Sequence, residues 1–159
     1  MTWVLSVRVL TPDDWSLWRA LRLASLTEAP GVFGSTLAQW SGSGDTERRW
    51  RDRLSSVALN LAIVADGDPI AMVSATTPDR SGEVELISLW VAPAWRGRNA
   101  GDEAVRQVVA WARDRHPGHP VVLSVKADNQ HARRLYERHG FVDAGPSRDD
   151  DERQMRRPA

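Results

Sequence analysis

The sequence predicts an α+β fold of α/β/α layers, and three patterns carry that expectation. Short β-prone runs, among them residues 86–91 (LISLWV) and 121–125 (VVLSV), alternate with longer segments of helical period. Residues 91–101 (VAPAWRGRNAG) join one such run to one such helix through a turn rich in arginine and glycine. Asp66-Gly67 separates two apolar runs, and Asp-Gly is the strongest short signal for a hairpin.

Along the chain, residues 3–10 alternate enough for a first strand, and Thr11-Pro12-Asp13 turns into a helix over about 14–26. Residues 29–36 break the period, and 41–44 (SGSG) read as a loop. Asp45 or Thr46 caps a second helix reaching about residue 55. Residues 59–65 and 70–77 form the hairpin, and a loop over 78–82 leads to a strand over 83–91. In the next helix, residues 100–116, Ala104, Val105, Val108, Val109 and Ala112 share one face. A strand over 121–125 follows, then a helix over 130–139 between Asn129, a good N-cap, and Gly140, a good terminator. A strand begins at Phe141, a polar tail covers 146–151, and residues 152–156 read as a last edge strand.

With 159 residues, the chain predicts one domain over 1–159. Lysine plus arginine and aspartate plus glutamate both total 21, so no net field draws nucleic acid or an acidic membrane surface. No apolar run is long enough for a membrane span, and the N-terminus lacks the order of a secretion signal. The absence of cysteine removes disulfides, thiolate metal sites and cysteine nucleophiles. These features fit a cytoplasmic enzyme.

The turn before the third helix carries the chemistry. The first turn of a helix leaves N–H groups without intrahelical partners, and the helix dipole favours negative charge there. A strand, a glycine-rich turn and a helix N-terminus therefore make an anion site suited to a diphosphate. A Walker loop is excluded, because the single lysine, Lys126, lies elsewhere. Gly97 and Gly101 do not supply a dinucleotide fingerprint either.

The turn resembles the acyl-CoA pyrophosphate loop of the GNAT N-acetyltransferase superfamily, Arg/Gln-x-x-Gly-x-Gly/Ala, here Arg96-Gly97-Arg98-Asn99-Ala100-Gly101. Asn99 stands where the family prefers glycine; asparagine is the non-glycine residue that best tolerates positive φ. Beginning 28 residues after Gly101, Asn129-x-x-Ala132-x-x-Leu135-Tyr136-Glu137-x-x-Gly140-Phe141 resembles the family's closing motif. The resemblance implies a mixed, mostly antiparallel sheet of six to seven strands with a splayed centre and about four helices.

It also implies an acetyl-CoA-dependent N-acetyltransferase without a metal. Arg96, Gly97, Arg98, Asn99, Ala100 and Gly101 would hold the diphosphate, and the backbone of Leu89, Trp90 and Val91 the pantetheine. Tyr136, the only tyrosine, falls where the family's general acid sits; the alternative is a ring that walls the channel. Asn129 is a helix cap, alone or while also holding pantetheine. Glu85 lies 11 positions before Arg96, the offset of the general base in the family's histone acetyltransferases. It reads equally as part of a solvated face with Glu83, with a water chain serving as base.

In this family the acceptor site is built by the first two helices and their loop, with Glu28, Phe33 and Trp40 as lining candidates here. Trp15, Trp18 and Trp50 read as core. The four histidines read as solvated turn and helix-end residues. The expected acceptor is a primary amine on a small molecule, with a protein N-terminus or lysine as the alternative. A non-catalytic acyl-CoA-binding module is a further alternative, and a homodimer is allowed. Neither nucleic acid nor membrane is expected as a partner.

Overall fold

The computed structural model describes residues 4–29 and 36–159. Strand β1 (Leu5–Val9) runs into a 3-10 turn (Pro12–Asp14) and helix α1 (Trp15–Glu28). The Asp14 carboxylate accepts the Thr11 N–H at 2.9 Å and fixes the entry to that helix. A one-turn helix α2 (Leu37–Trp40), absent from the sequence expectation, is held by a reciprocal cap between Thr36 and Gln39. Thr46 caps α3 (Glu47–Ser56), its hydroxyl accepting from the Arg49 N–H at 3.2 Å.

Strands β2 (Leu59–Ala65) and β3 (Asp68–Ala75) form the anticipated hairpin. Asp66 and Gly67 take φ values of 50° and 83°, the left-handed pair that a tight, right-twisted hairpin needs. Strand β4 (Val84–Val91), helix α4 (Ala100–Arg115), strand β5 (Val121–Lys126) and helix α5 (Gln130–Arg138) follow, then β6 (Val142–Pro146) and β7 (Glu152–Arg157).

The seven strands lie in the order β1-β2-β3-β4-β5-β7-β6, with β4 and β5 parallel and the other neighbours antiparallel. This corrects one expectation: β7 is not an edge strand. It inserts between β5 and β6, with Met155 opposite Leu123 and only 1% exposed. The one apolar residue in β7 reaches the core, while its charged neighbours disguise an interior strand as a border.

Alternation along the central strands sends side chains to two cores. On one face Leu61, Ile63 and Val73 pack under Ala104, Val105 and Val108 of α4, together with Tyr136 and Phe141. On the other, Ala62, Met72 and Trp90 meet Trp18 and Leu21 of α1 and Trp50 and Leu54 of α3. Trp18 and Trp50 are fully buried and serve as core as expected, whereas Trp15 is only partly buried against the same cluster. Among the described residues no helix is long and apolar enough to cross a membrane.

Candidate functional site

The sheet opens at its centre. Only Val84↔Val121 and Glu85↔Val122 pair across β4 and β5, and beyond them the strands diverge. The divergence has a local cause in β4. Met72 pairs with Trp90 but Ser74 pairs with Ile87, which leaves Ser88 and Leu89 opposite Val73. Ser88 takes φ 59°, so one extra residue bulges out and the strand bends. A cleft of about 1220 Å³ fills the gap, lined by both strands, the turn before α4 and the face of α5.

Backbone polarity along the cleft follows from pairing. The Ala92 N–H donates to the Ile70 carbonyl at 2.9 Å, and antiparallel bonds alternate along a strand. The backbone groups of Leu89 and Val91 therefore point away from β3, toward the cleft. No strand satisfies them there.

At one end of the cleft, Gly97 and Asn99 both adopt left-handed backbone, φ 76° and 68°. Asparagine thus holds the conformation that glycine would take at lower cost. The first helical bond of α4 runs from the Glu103 N–H to the Asn99 carbonyl, so the preceding amides of the helix remain without helical acceptors. Gly97, Asn99 and Gly101 line the cleft, whereas Ala100 is 1% exposed and belongs to the core. The Arg98 guanidinium lies 5.3 Å from the centre of the Trp95 ring and is not part of the cleft lining.

Gly101 has a packing reason of its own. A Cβ there would lie 3.1 Å from Leu135 Cδ2, so α4 and α5 approach closely at this point. Asp102 clamps the same junction, accepting from Arg138 at 3.2 Å and from His139 at 2.8 Å. Burial would raise the Asp102 pKa, but these bonds prevail and hold it below the usual carboxylate range.

Tyr136 lines the middle of the cleft at 7% exposure, its ring edge-on to Phe141 at 5.9 Å. Burial pushes its phenol well above the ordinary value, so the hydroxyl keeps its proton at neutral pH. Asn129 caps α5, its side-chain oxygen accepting the Ala132 N–H at 3.1 Å, and it too lines the cleft.

The far end lies toward α1 and α3. Glu28 accepts from Trp90 Nε1 at 2.9 Å and from Arg96 at 2.8 Å, and both bonds keep its carboxyl below the usual range. Arg96 also donates to the Val91 carbonyl at 3.1 Å. Its guanidinium is thereby tied back against β4 and the end of α1. Glu85 shares the α1/α3 side of β4 with Ile87 and Trp90, and its carboxylate accepts from Arg148 at 3.1 Å. Trp40 does not line the cleft; it stacks on Trp50 with centroids 4.5 Å apart, under the Arg49 guanidinium. Phe33 lies outside the described residues.

Among the cleft residues that the sequence reading did not pick out are two arginines. Arg22 of α1 is 6% exposed, and Arg53 of α3 donates to Asn60 at 2.9 Å, Ser74 at 3.3 Å and Ser88 at 3.4 Å. Burial lowers both pKa values to about 10, and for Arg53 the neighbouring charge of Arg22 adds to the effect. In the sequence Arg53 sits among other charged helix residues, whereas Arg22 is flanked by Leu21 and Leu23. The one available signal was their helical spacing from the core residues Trp18, Leu21, Trp50 and Leu54.

Comparison with known proteins agrees with this geometry. The sequence profile of the Acetyltransferase (GNAT) family matches residues 18–141. The chain is 26% identical over 154 residues to a Bacillus subtilis (strain 168) protein named "Putative ribosomal N-acetyltransferase YdaF", covering 91% of this chain and 81% of that one. The fold is shared with the PaiA N-acetyltransferase of Thermoplasma acidophilum solved with coenzyme A, at 15% identity, TM-score 0.77 and coverage of 98% and 99%. It is shared as well with a spermidine N-acetyltransferase SpeG chimera from Vibrio cholerae and hSSAT, at 16% identity, TM-score 0.73 and coverage of 97% and 95%. A seven-stranded sheet splayed at its centre, the turn before α4 and the profile match lead to one conclusion: this chain belongs to the GNAT family and is an acetyl-CoA-dependent N-acetyltransferase.

Proposed function

We propose that the enzyme acetylates a primary amine of a small molecule by direct attack, with both substrates held in the cleft. The observation that carries this reading is the cleft itself, whose lining runs from the α4 N-terminus past Tyr136 to residues of α1, α3 and β4. Acetyl-CoA supplies the activated thioester, and the chain's own groups hold it and move the protons. The amides at the start of α4 receive the diphosphate, in the turn set by Gly97 and Asn99. The N–H groups of Leu89 and Val91 are left for the pantetheine arm, the Val91 carbonyl being taken by Arg96, and one of these N–H groups donates to the thioester carbonyl oxygen as negative charge builds on it. The chain contains no cysteine, which favours direct transfer over a thiol-bound acyl intermediate.

In the transfer, a C–N bond forms and the C–S bond breaks. Tyr136 donates a proton to the departing sulfur, a role suited to a phenol that burial keeps protonated. Glu85, on the acceptor side of β4, takes a proton from the amine directly or through water once Arg148 yields. Its bond to Arg148 makes the water route the stronger alternative. The name of the Bacillus subtilis relative supports a second reading, a ribosomal protein N-terminus as the acceptor.

Tyr136→Phe tests the scheme, because it keeps the ring against Phe141 and deletes only the hydroxyl. The expected outcome is a fall in kcat of roughly 100-fold or more, the loss typical of a positioned acid, with acetyl-CoA affinity nearly unchanged. An unaltered kcat at saturating substrates would leave Tyr136 as a wall of the channel.

A further inference from the structure

Resting on the placement of acetyl-CoA along β4, we infer that Arg53 is a positioning residue for the transfer. Its guanidinium holds the bulge at Ser88, and through it the N–H groups offered to the pantetheine arm and the thioester. Val84 and Leu86 reach the core under α4, whereas Trp90, an even number of positions further on, reaches the opposite core with α1 and α3. In an unbroken strand these three side chains would share a face. The extra residue at Ser88 and Leu89 makes the exchange. Nothing in a serine favours the φ of 59° found there, so the conformation persists only where its surroundings hold it.

Arg53 supplies that hold. One guanidinium nitrogen donates to Asn60 on β2 at 2.9 Å; the other donates to Ser74 on β3 at 3.3 Å and to Ser88 on β4 at 3.4 Å. Ser74 and Ser88 lie at the register break, so a single nitrogen bridges the two strands where their pairing slips. The anchor beneath is rigid. Asn60 and Ser74 are buried, and the Ser74 hydroxyl donates to the Asn60 side-chain oxygen at 2.7 Å. Asn60 in turn donates to the Leu54 and Val57 carbonyls at 3.2 Å and 3.0 Å, which ties the end of α3 to β2. The buried Trp18 ring seats the guanidinium, 4.9 Å from its centre. A planar fork of fixed donors suits oxygens on three strands, and a single ammonium does not reproduce it.

Calorimetry with coenzyme A and with ADP, which lacks the pantetheine arm, tests this, because the ratio of the two affinities reads what the arm gains from β4. Arg53→Gln is expected to cut that ratio about tenfold with ADP affinity unchanged, and to lower kcat about tenfold or more, the scale of a small misplacement of reacting groups. Ser88→Ala deletes only the hydroxyl that Arg53 reaches. It should have the same effects, and should add little to Arg53→Gln in the double variant. If Arg53→Gln does not fold, Ser88→Ala alone decides. Ser88→Gly placed in the Arg53→Gln protein should recover most of the loss, because glycine adopts φ 59° unaided. An arginine needed only for stability would leave the defect in place. A parental affinity ratio in either single variant, full additivity in the double variant, or no recovery with glycine overturns the inference. Coenzyme A that binds the parent no tighter than ADP overturns the placement along β4 and the inference with it. With the arm's contribution present in the parent, the variants judge Arg53 alone.

Discussion

Valine at position 101 separates two reasons for glycine there, room for a diphosphate and room for a helix. The structure places a Cβ at this position 3.1 Å from Leu135 Cδ2, and 3.8 Å from both Leu135 Cδ1 and Val91 Cγ2. An alanine asks Leu135, which is half-buried, to give by a few tenths of an ångström. The improved helix propensity, up to about 1 kcal/mol, offsets that strain, so Gly101→Ala is expected to be nearly neutral. Valine adds two methyl groups beside a contact that is already tight. Overpacking of this kind costs about 1–3 kcal/mol, which for a chain of this length lowers Tm by about 2–4 °C per kcal/mol. Because Leu135 precedes Tyr136 on α5, the displaced helix should also carry the phenol out of register, lowering kcat while weakening acetyl-CoA binding. Thermal unfolding, calorimetry and steady-state kinetics on the two variants read all three quantities. A Gly101→Val protein that melts and binds like the parent would refute the packing argument. Weakened binding at an unchanged Tm would return the glycine to the phosphate alone.

Asn99→Gly should leave acetyl-CoA affinity equal or improved and Tm equal or higher, since φ 68° suits glycine; Asn99→Val should lose about 1–2 kcal/mol by urea unfolding. Asp45, bound by Arg19 at 2.7 Å and Trp50 Nε1 at 2.8 Å, is held at about 2 rather than 3.8. A carboxyl depressed in the folded state contributes stability above its unfolded pKa and loses it as pH falls through the folded one. Asp45→Asn should therefore flatten the fall in stability between pH 3.8 and about 2, and an unchanged acid limb would dismiss the pair. If Glu85 accepts the amine proton, Glu85→Gln should lower kcat/KM by roughly 100-fold or more; an unchanged kcat/KM assigns the step to water.

The parts of this fold legible in the sequence are those set by local chemistry. Asp66-Gly67 makes the hairpin because two adjacent residues tolerate left-handed backbone. Thr46 and Asn129 start helices because each side chain reaches an amide three residues on. Asn99 replaces a loop glycine because its own backbone tolerance allows φ 68°. Signals confined to a few neighbouring residues survive without the rest of the molecule. The order of strands does not: β7 entered the interior because Met155 fits beside Leu123, a contact across 32 positions that its charged neighbours conceal. The Ser88 bulge depends on register against β3, and a serine carries no mark of positive φ. The burial of Arg22 and the partial burial of Arg53 depend on which way α1 and α3 face once Trp18 and Trp50 have claimed the core. The sequence by itself determined the family and marked the loop proposed to receive a diphosphate, because both are short motifs read at consecutive positions. Only the tertiary structure decided where the sheet parts and which charges line the cleft from α1 and α3, because those follow from packing between segments far apart in the chain.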